Sequence, residues 1–408
     1  RSSHLVGESS LSSSRFQEHR LTRPVLFAPM KYAFRFYHYP RMNFPSRLSL
    51  VPTLGLLLAT GQFIAQTTAK EGSDEWYTMS AIGVEGQGWP KEDLKFRYDR
   101  LPAKAEKIVR KPVWDLSRHS AGLCFRFNTD STSIKIRYTV GGGLAMTNMP
   151  ATGVSGIDLY ALDKGVWKWV DVTKPKEAST TYAISGLDPG LRTYMAYLPL
   201  YNSTLNVEIG VPASAKFEPI APRKEKPIVF YGTSITHGAS ASRPGMCHTA
   251  ILGRRLDRPV INLGFSGNGK MEPEVVALLT EIDAAVYVID CLPNMIGSEV
   301  AAHAETLVRK LREVRPDTPI VLVEDRTYAN AWIFKSKRVR HEESRAALIR
   351  AFDTLVSAGM KHLYYIEGDE LLGDDHEATT DGSHPSDLGF MRQADVFEPV
   401  LRKALDSQ

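Results

Sequence analysis

Cysteine is scarce in this chain: Cys124, Cys247 and Cys291 are the only three in 408 residues, and they lie far apart. That rules out a disulfide framework or a structural zinc cluster, and the odd number leaves at least one thiol without an intrachain partner. Charge of one sign is also lacking. The formal net charge is +4, part of it in the first 41 residues, which disfavours strong nucleic-acid binding by the folded body. No internal repeat and no low-complexity tract follows residue 70. The apolar run 48–59 is too short to serve as a permanent membrane anchor. What remains is ordinary, 43% hydrophobic and 24% charged, and excludes a collagen-like, largely disordered or polytopic membrane protein. The length predicts two compact units.

Residues 1–41 are Ser- and Arg-rich without hydrophobic periodicity and read as a disordered segment or as sequence upstream of the native start. From Met42, a basic residue (Arg47), the apolar body 48–59 and small or polar residues up to Ala69 form the pattern of a signal peptide. A buried core helix is the alternative, weakened by Pro52 and Gly55. The signal reading covers 42–69 and implies a secreted or periplasmic protein with no stable membrane anchor after cleavage.

Two periodicities divide the rest. Within 76–222, the runs 123–127, 133–138, 166–170 and 205–209 alternate apolar and polar residues, the mark of strands with one wet face. Turn formers separate them, which predicts an all-β sandwich or jelly roll. After the polar, proline-bounded linker 221–227 come short continuous apolar runs at 228–231, 259–263, 284–289, 319–323 and 362–366, as strands buried on both faces require. Helical patterns lie between them: Val300, Ala304, Leu307, Val308 and Leu311 on one predicted face, and Leu348, Ile349, Phe352, Leu355 and Val356 on another. The expected fold of 226–405 is α/β, a three-layer doubly wound parallel five-stranded sheet.

Chemistry-bearing residues fall just beyond the predicted strand ends, where such sheets expose them. Ser234 follows the first strand in Gly232-Thr-Ser234-Ile235, and a serine at a strand-to-helix turn presents its hydroxyl; small residues also favour bare turns. Thr236 breaks the five-residue Gly-x-Ser-x-Gly elbow, which counts against the larger α/β-hydrolase fold. After the second strand, Gly264, Gly269 and Lys270 fit a phosphate loop, but Met271 stands where a magnesium-binding hydroxyl is needed. In the other reading the Gly267 amide is an oxyanion donor. Asn294, after the third strand, can present an amide donor or cap its loop. Asp381 and His384, three apart before the last helix, can bond each other so that the second imidazole nitrogen takes a proton. His376, Asp381 and His384 would also make an oxygen/nitrogen metal set, without a companion Glu or a His-x-x-x-His pair.

In this order the four blocks resemble the SGNH (GDSL-type) hydrolases, over roughly residues 226–405. The usual Gly-Asp-Ser-Leu is Gly232-Thr-Ser234-Ile235 here, and the usual Gly-x-Asn-Asp is Leu292-Pro-Asn294-Met295. Gly156-Ile-Asp158-Leu-Tyr160 resembles the Gly-x-Asp-Leu-Tyr signature of a domain preceding one subgroup, and Ser242-Arg-Pro-Gly-Met246 looks like that subgroup too. The resemblance implies a serine esterase with Ser234 as nucleophile, His384 as base, Asp381 as its partner, and Gly267 and Asn294 completing the oxyanion hole. It implies no metal or organic cofactor. The expected partner is a small-molecule or polysaccharide ester, with carbohydrate acetyl groups first, by family analogy; no oligomeric state is legible. The alternatives are a lipid or aryl-ester hydrolase of the same mechanism, and a non-catalytic carbohydrate-binding protein, which would be expected to have lost the serine or the histidine. Asp158 is expected to bond a neighbouring turn or face an interface, and Trp167, Trp169, Tyr194 and Tyr201 to pack or meet sugar. Glu324 and Asp325 are read as structural carboxylates paired with Arg243, with lining of the substrate mouth as the alternative, and 335–340 as a solvated basic helix approach, with an anionic glycan contact as the alternative.

Overall fold

The computed structural model describes residues 73–407; the segments 1–41 and 42–69, and with them the signal-peptide reading, lie outside the described residues. Among the described residues nine antiparallel strands come first: β1 (Asp74–Thr78), β2 (Cys124–Thr129), β3 (Ser133–Val140), β4 (Asp158–Asp163), β5 (Val166–Val172), β6 (Ser179–Ser185), β7 (Arg192–Tyr197), β8 (Thr204–Pro212) and β9 (Phe217–Ile220). They form two sheets, ordered β1-β8-β3-β6 and β5-β4-β7-β2-β9. β3 alternates strictly between half-buried and buried positions, so Ile134, Ile136, Tyr138 and Val140 face inward. They meet Phe125, Phe127, Leu159 and Tyr194 of the second sheet in one core, which makes the pair a sandwich. Short helices α1 (Met79–Ile82), α2 (Lys111–Ser117) and α3 (Ala151–Val154) interrupt the strands.

Five parallel strands follow: β10 (Ile228–Gly232), β11 (Val260–Gly264), β12 (Val286–Asp290), β13 (Ile320–Val323) and β14 (Leu363–Ile366), in the order β11-β10-β12-β13-β14. The central strands β10, β12 and β13 are buried at every position, as their unbroken apolar runs predict. One face packs on α6 (Pro273–Thr280), α7 (Gly297–Val314) and α8 (Lys335–Ser357). The other packs on α5 (His248–Arg255) and α9 (Asp387–Leu405). The remaining helix, α4 (Ser234–His237), is a single turn after β10. Strand order reverses between β10 and β12, the switch point at which such sheets open a crevice.

One predicted helix face needs correction. Ile349 and Val356 are 44% and 47% exposed; the buried stripe of α8 is His341, Ser344, Ala347, Leu348, Ala351 and Leu355. At 100° per residue, positions 349 and 356 fall outside that stripe. The segment between β1 and β2 also covers the parallel sheet's edge, its Trp89, Leu101, Val113 and Trp114 packing in the core of that sheet. Arg100, 1% exposed, donates Nη1 to the carbonyls of Asn262 and Gly264 on edge strand β11, both at 2.9 Å. Those carbonyls would otherwise be unpaired acceptors at a sheet edge.

Candidate active site

The nucleophile turn is built by local hydrogen bonds. The Thr233 hydroxyl accepts from the Ile235 amide at 3.3 Å, the Ser234 carbonyl accepts from Gly238 and Ala239, and Gly238 closes α4 in the left-handed region. Below the turn, Thr236 donates to Asp290 (3.1 Å), and Asp290 pairs with Arg326 at 2.9 Å, both side chains fully buried. This leaves Ser234 only 7% exposed at the carboxyl end of β10.

On the other side, residues 378–386 form a loop laced to itself. Thr380 N–H bonds the His384 carbonyl at 2.9 Å, Ser386 N–H bonds the Ala378 carbonyl, and Gly382 N–H bonds the Thr379 hydroxyl. Asp381 Oδ1 accepts the backbone N–H groups of Ser383 and His384 (3.1 and 2.8 Å), and its Oδ2 lies 2.7 Å from His384 Nδ1. Burial raises the Asp381 pKa, but the His384 amide and imidazole and the Ser383 amide outweigh it, so the net shift is downward and the carboxylate is held ionised. An ionised carboxylate only accepts, so Nδ1 carries the hydrogen and Nε2 is left as an acceptor. That Nε2 lies 2.8 Å from the Ser234 hydroxyl oxygen. Ser234, His384 and Asp381, 150 residues apart at the extremes, thus form one continuous hydrogen-bonded chain.

The two other expected residues lie around the same turn. The Phe265 amide bonds the Gly232 carbonyl, and a side chain at Gly269 would sit 2.1 Å from that carbonyl, so only glycine allows the 265–269 loop to lie against the nucleophile strand. Gly267 is exposed at the loop's tip with φ +68°. Asn294 ends the short turn Leu292–Asn294 after β12, and its Oδ1 accepts the Gly269 amide at 3.2 Å. With Oδ1 engaged, its Nδ2 hydrogens are left to donate. Among the described residues, the amides of Ser234 and Gly267 and Asn294 Nδ2 have no acceptor.

The rival readings of these loops fail on the same contacts. Lys270 pairs with Glu299 at 3.1 Å rather than facing an empty phosphate cradle. Among the described residues no group of three His, Cys, Asp or Glu could hold a metal ion, and His384 Nδ1 is committed to Asp381. All three cysteines are free and buried.

Two motifs that lie far apart in sequence meet. Asp158, fully buried, accepts from Arg243 (2.9 Å) and the Gly245 amide (2.7 Å) through Oδ2, and from Trp169 Nε1 (2.9 Å) through Oδ1. Arg243 also bonds the Tyr160 hydroxyl. The signature aspartate thus holds the segment 242–246, whose other end is fixed by Asp387 bonding Ser242 (2.9 Å to the amide). Arg243 therefore does not pair with Glu324 or Asp325. Glu324 bonds Tyr365, the Gly368 amide and Arg345, and Asp325 bonds Arg340. Arg340 is correspondingly not a solvated residue of a basic run. Of the aromatic residues singled out, Tyr194 is 1% exposed and stacked on Phe127 in the sandwich core, and Trp167 packs beside Tyr160 and Tyr197. Trp169 is half exposed beneath Arg243. Sequence reasoning missed Arg100 and Arg340; each acts on backbone carbonyls distant in the chain, which no local pattern marks.

A hydroxyl, an imidazole and a carboxylate in line on a doubly wound sheet define the serine-hydrolase class of site. The chain belongs to the GDSL-like lipase/acylhydrolase family, whose model matches residues 225–402, while residues 75–217 match the N-terminal domain of SGNH-hydrolase-type esterases with the GxDLY signature. It is a carboxylic ester hydrolase. A Bacteroides ovatus ATCC 8483 protein assigned as a GDSL-like lipase is 32% identical, with 82% of this chain and 98% of that one covered and a TM-score of 0.78. The salicylyl-acyltransferase SsfX3 from a tetracycline biosynthetic pathway is 19% identical (81% and 97% covered, TM-score 0.65). A family two carbohydrate esterase from Cellvibrio japonicus is 13% identical (82% and 99% covered, TM-score 0.52). Curated proteins give no match. Membership in an esterase family removes the non-catalytic alternative. Among the described residues no helix is long and apolar enough to cross a membrane.

Proposed function

We propose that this is an exported serine esterase that removes acyl groups, acetyl foremost, from carbohydrate. Residues 42–69 direct export, 76–222 form the accessory β domain and 226–405 the catalytic domain. Ser234 Oγ attacks the ester carbonyl carbon while His384 Nε2 takes its proton, and Asp381 stabilises the imidazolium. The amides of Ser234 and Gly267 and the side chain of Asn294 hold the oxyanion. The carbon–oxygen bond to the alcohol then breaks as Nε2 returns the proton to the leaving oxygen. A water, deprotonated by the same nitrogen, attacks the acyl-serine and releases the acid, so the cycle consumes only water.

The observation that carries this reading is the unbroken chain Ser234 Oγ, His384 Nε2, His384 Nδ1, Asp381 Oδ2, with contacts of 2.8 and 2.7 Å. The carbohydrate part draws support from the export pattern and from the likeness in fold to the Cellvibrio japonicus carbohydrate esterase. The test is acetate release from a panel of acetylated polysaccharides, with Ser234→Ala as the blank. Loss of Ser234 lowers kcat on p-nitrophenyl acetate by roughly 10⁶; a variant that cleaves it at the wild-type rate removes the serine from the mechanism.

One observation favours the lipid or aryl-ester alternative. Trp332, Ile333 and Phe334 are 67%, 60% and 48% exposed in the loop after β13, and Ala329 of that loop bonds Gly382 beside the His384 segment. A rate that rises with acyl-chain length across p-nitrophenyl esters, with no acetate released from any polysaccharide, decides for it.

A further inference from the structure

The turn that carries Asn294 is held from two sides: the Gly269 amide bonds its side-chain Oδ1 at 3.2 Å, and Arg340 grips its backbone from behind. Arg340, in the second turn of α8, donates Nη2 to the carbonyls of Leu292 (3.1 Å), Pro293 (2.8 Å) and Met295 (3.2 Å). These are the carbonyls that surround Asn294. Its other nitrogen, Nη1, bonds Asp325, a fully buried carboxylate just past β13. Asp325 is itself fixed, because its carbonyl accepts from Arg345 at 3.0 and 2.7 Å. The guanidinium therefore ties the end of β12 to the end of β13 through a rigid planar fork. The turn's own bonds, Asn294 N–H to Cys291 and Met295 N–H to Leu292, are local and do not fix its place relative to Ser234. The Met295 side chain is buried and apolar and adds no polar tether.

We infer that Arg340 is a positioning residue for the reaction: by gathering three carbonyls behind the turn, it keeps the Asn294 amide aimed at the developing oxyanion. This rests on the role given above to Asn294. An oxyanion donor works only when it is organised before charge develops, so loosening the turn costs rate rather than substrate binding. Arg340 lies behind the donor and need not touch the substrate. Lysine in its place keeps the charge beside Asp325 but cannot span the carbonyls.

The test uses the full chain with p-nitrophenyl acetate, comparing Arg340→Lys, Arg340→Met, Asn294→Ala and the two Arg340 variants combined with Asn294→Ala. The expected kcat losses are about tenfold for Arg340→Lys and about a hundredfold for Arg340→Met, with KM within about twofold and an unaltered pH profile. In the Asn294→Ala background both losses vanish, because two parts of one device are not additive. Arg340→Lys keeps a wild-type melting temperature, which separates positioning from folding and carries the comparison if Arg340→Met does not fold. Losses that multiply in the combined variants, or full kcat in Arg340→Lys and Arg340→Met beside a deficient Asn294→Ala, overturn the inference alone. Full kcat in Asn294→Ala overturns the role of Asn294 and the inference together.

Discussion

The hydroxyl of Tyr201, which belongs to the β half, donates to the backbone carbonyl of Ser234 at 3.1 Å. Its ring stacks on His237 in the same turn, centroids 4.1 Å apart and 14° from parallel. The sandwich therefore helps to build the nucleophile turn.

Tyr201→Phe tests how much that contact matters. The ring and its stacking survive, and the Ser234 carbonyl keeps its bonds from Gly238 and Ala239. Loss of one buried hydrogen bond should cost about 1 kcal/mol of stability in urea unfolding. The slackened turn should lower kcat by no more than about fivefold, the equivalent of that energy, at constant KM. A variant equal to wild type in both measurements shows that the hydroxyl is incidental.

Asp158 carries a larger structural share. Replacing it with alanine strands the Gly245 amide and Trp169 Nε1 and leaves the mostly buried Arg243 without its carboxylate. Breaking such a pair costs about 3 kcal/mol. Asp163→Ala, which removes a solvent-screened pair with Lys168, should leave the urea midpoint close to wild type. Urea midpoints of the two variants check the contrast. Equal losses mean that burial of Asp158 is not what makes it matter.

These contacts also mark where a sequence stops being readable. The unbroken apolar runs of β10, β12 and β13 state their burial on both faces, and the alternation of β3 states its single wet face, because side-chain direction has a fixed period in a strand. Ser234, Asp381 and His384 could be picked out because they sit at strand ends and helix starts. What brings them together could not, since the Ser234–His384 contact spans 150 positions. The attachments of Arg100 and Arg340 were hidden for a related reason. Backbone carbonyls, which both arginines serve, leave no mark in the sequence, and Arg340, whose partner Asp325 lies just past β13, sits in a basic run that reads as solvated. On α8, aliphatic residues at 349 and 356 misled the face assignment because a half-exposed helix tolerates them.

Trp332 lies in an exposed apolar stretch, so Trp332→Ala should change stability by less than about 0.5 kcal/mol. The kcat on p-nitrophenyl acetate, too small to reach the stretch, should stay at the wild-type value. On the true substrate class, acetylated polysaccharide or long-chain ester, kcat/KM should fall several-fold, about 1 kcal/mol of contact. A variant indistinguishable from wild type on both classes takes the loop out of substrate binding.

Stability should fall steeply in mild acid, and three histidines are the reason. His248 is fully buried among Phe230, Phe390 and Phe397; burial and Arg326 lower its pKa to about 3. Burial and Arg100 lower His119 to about 4, and burial, Arg100 and His119 push His237 well below the usual range. In the unfolded chain all three take up protons near pH 6.5. Below that pH the unfolded state binds more protons than the native one, so stability is fully present above about 6.5 and declines until the folded values are reached. Each group contributes about 1 kcal/mol per pH unit within its window, so the three together give roughly 3–4 kcal/mol per unit near pH 5. Asp381, whose folded pKa is depressed, loses its contribution only as the pH falls through that lower value; burial raises Asp99, Asp158 and Asp290, which oppose the histidines in mild acid, and lowers His341, which adds to them, so the single-histidine variant carries the comparison. Urea unfolding at several pH values between 7.5 and 4.5 measures the slope, and His248→Leu should reduce it by about one proton. A flat profile, or an unchanged slope in that variant, contradicts neutral burial of these rings.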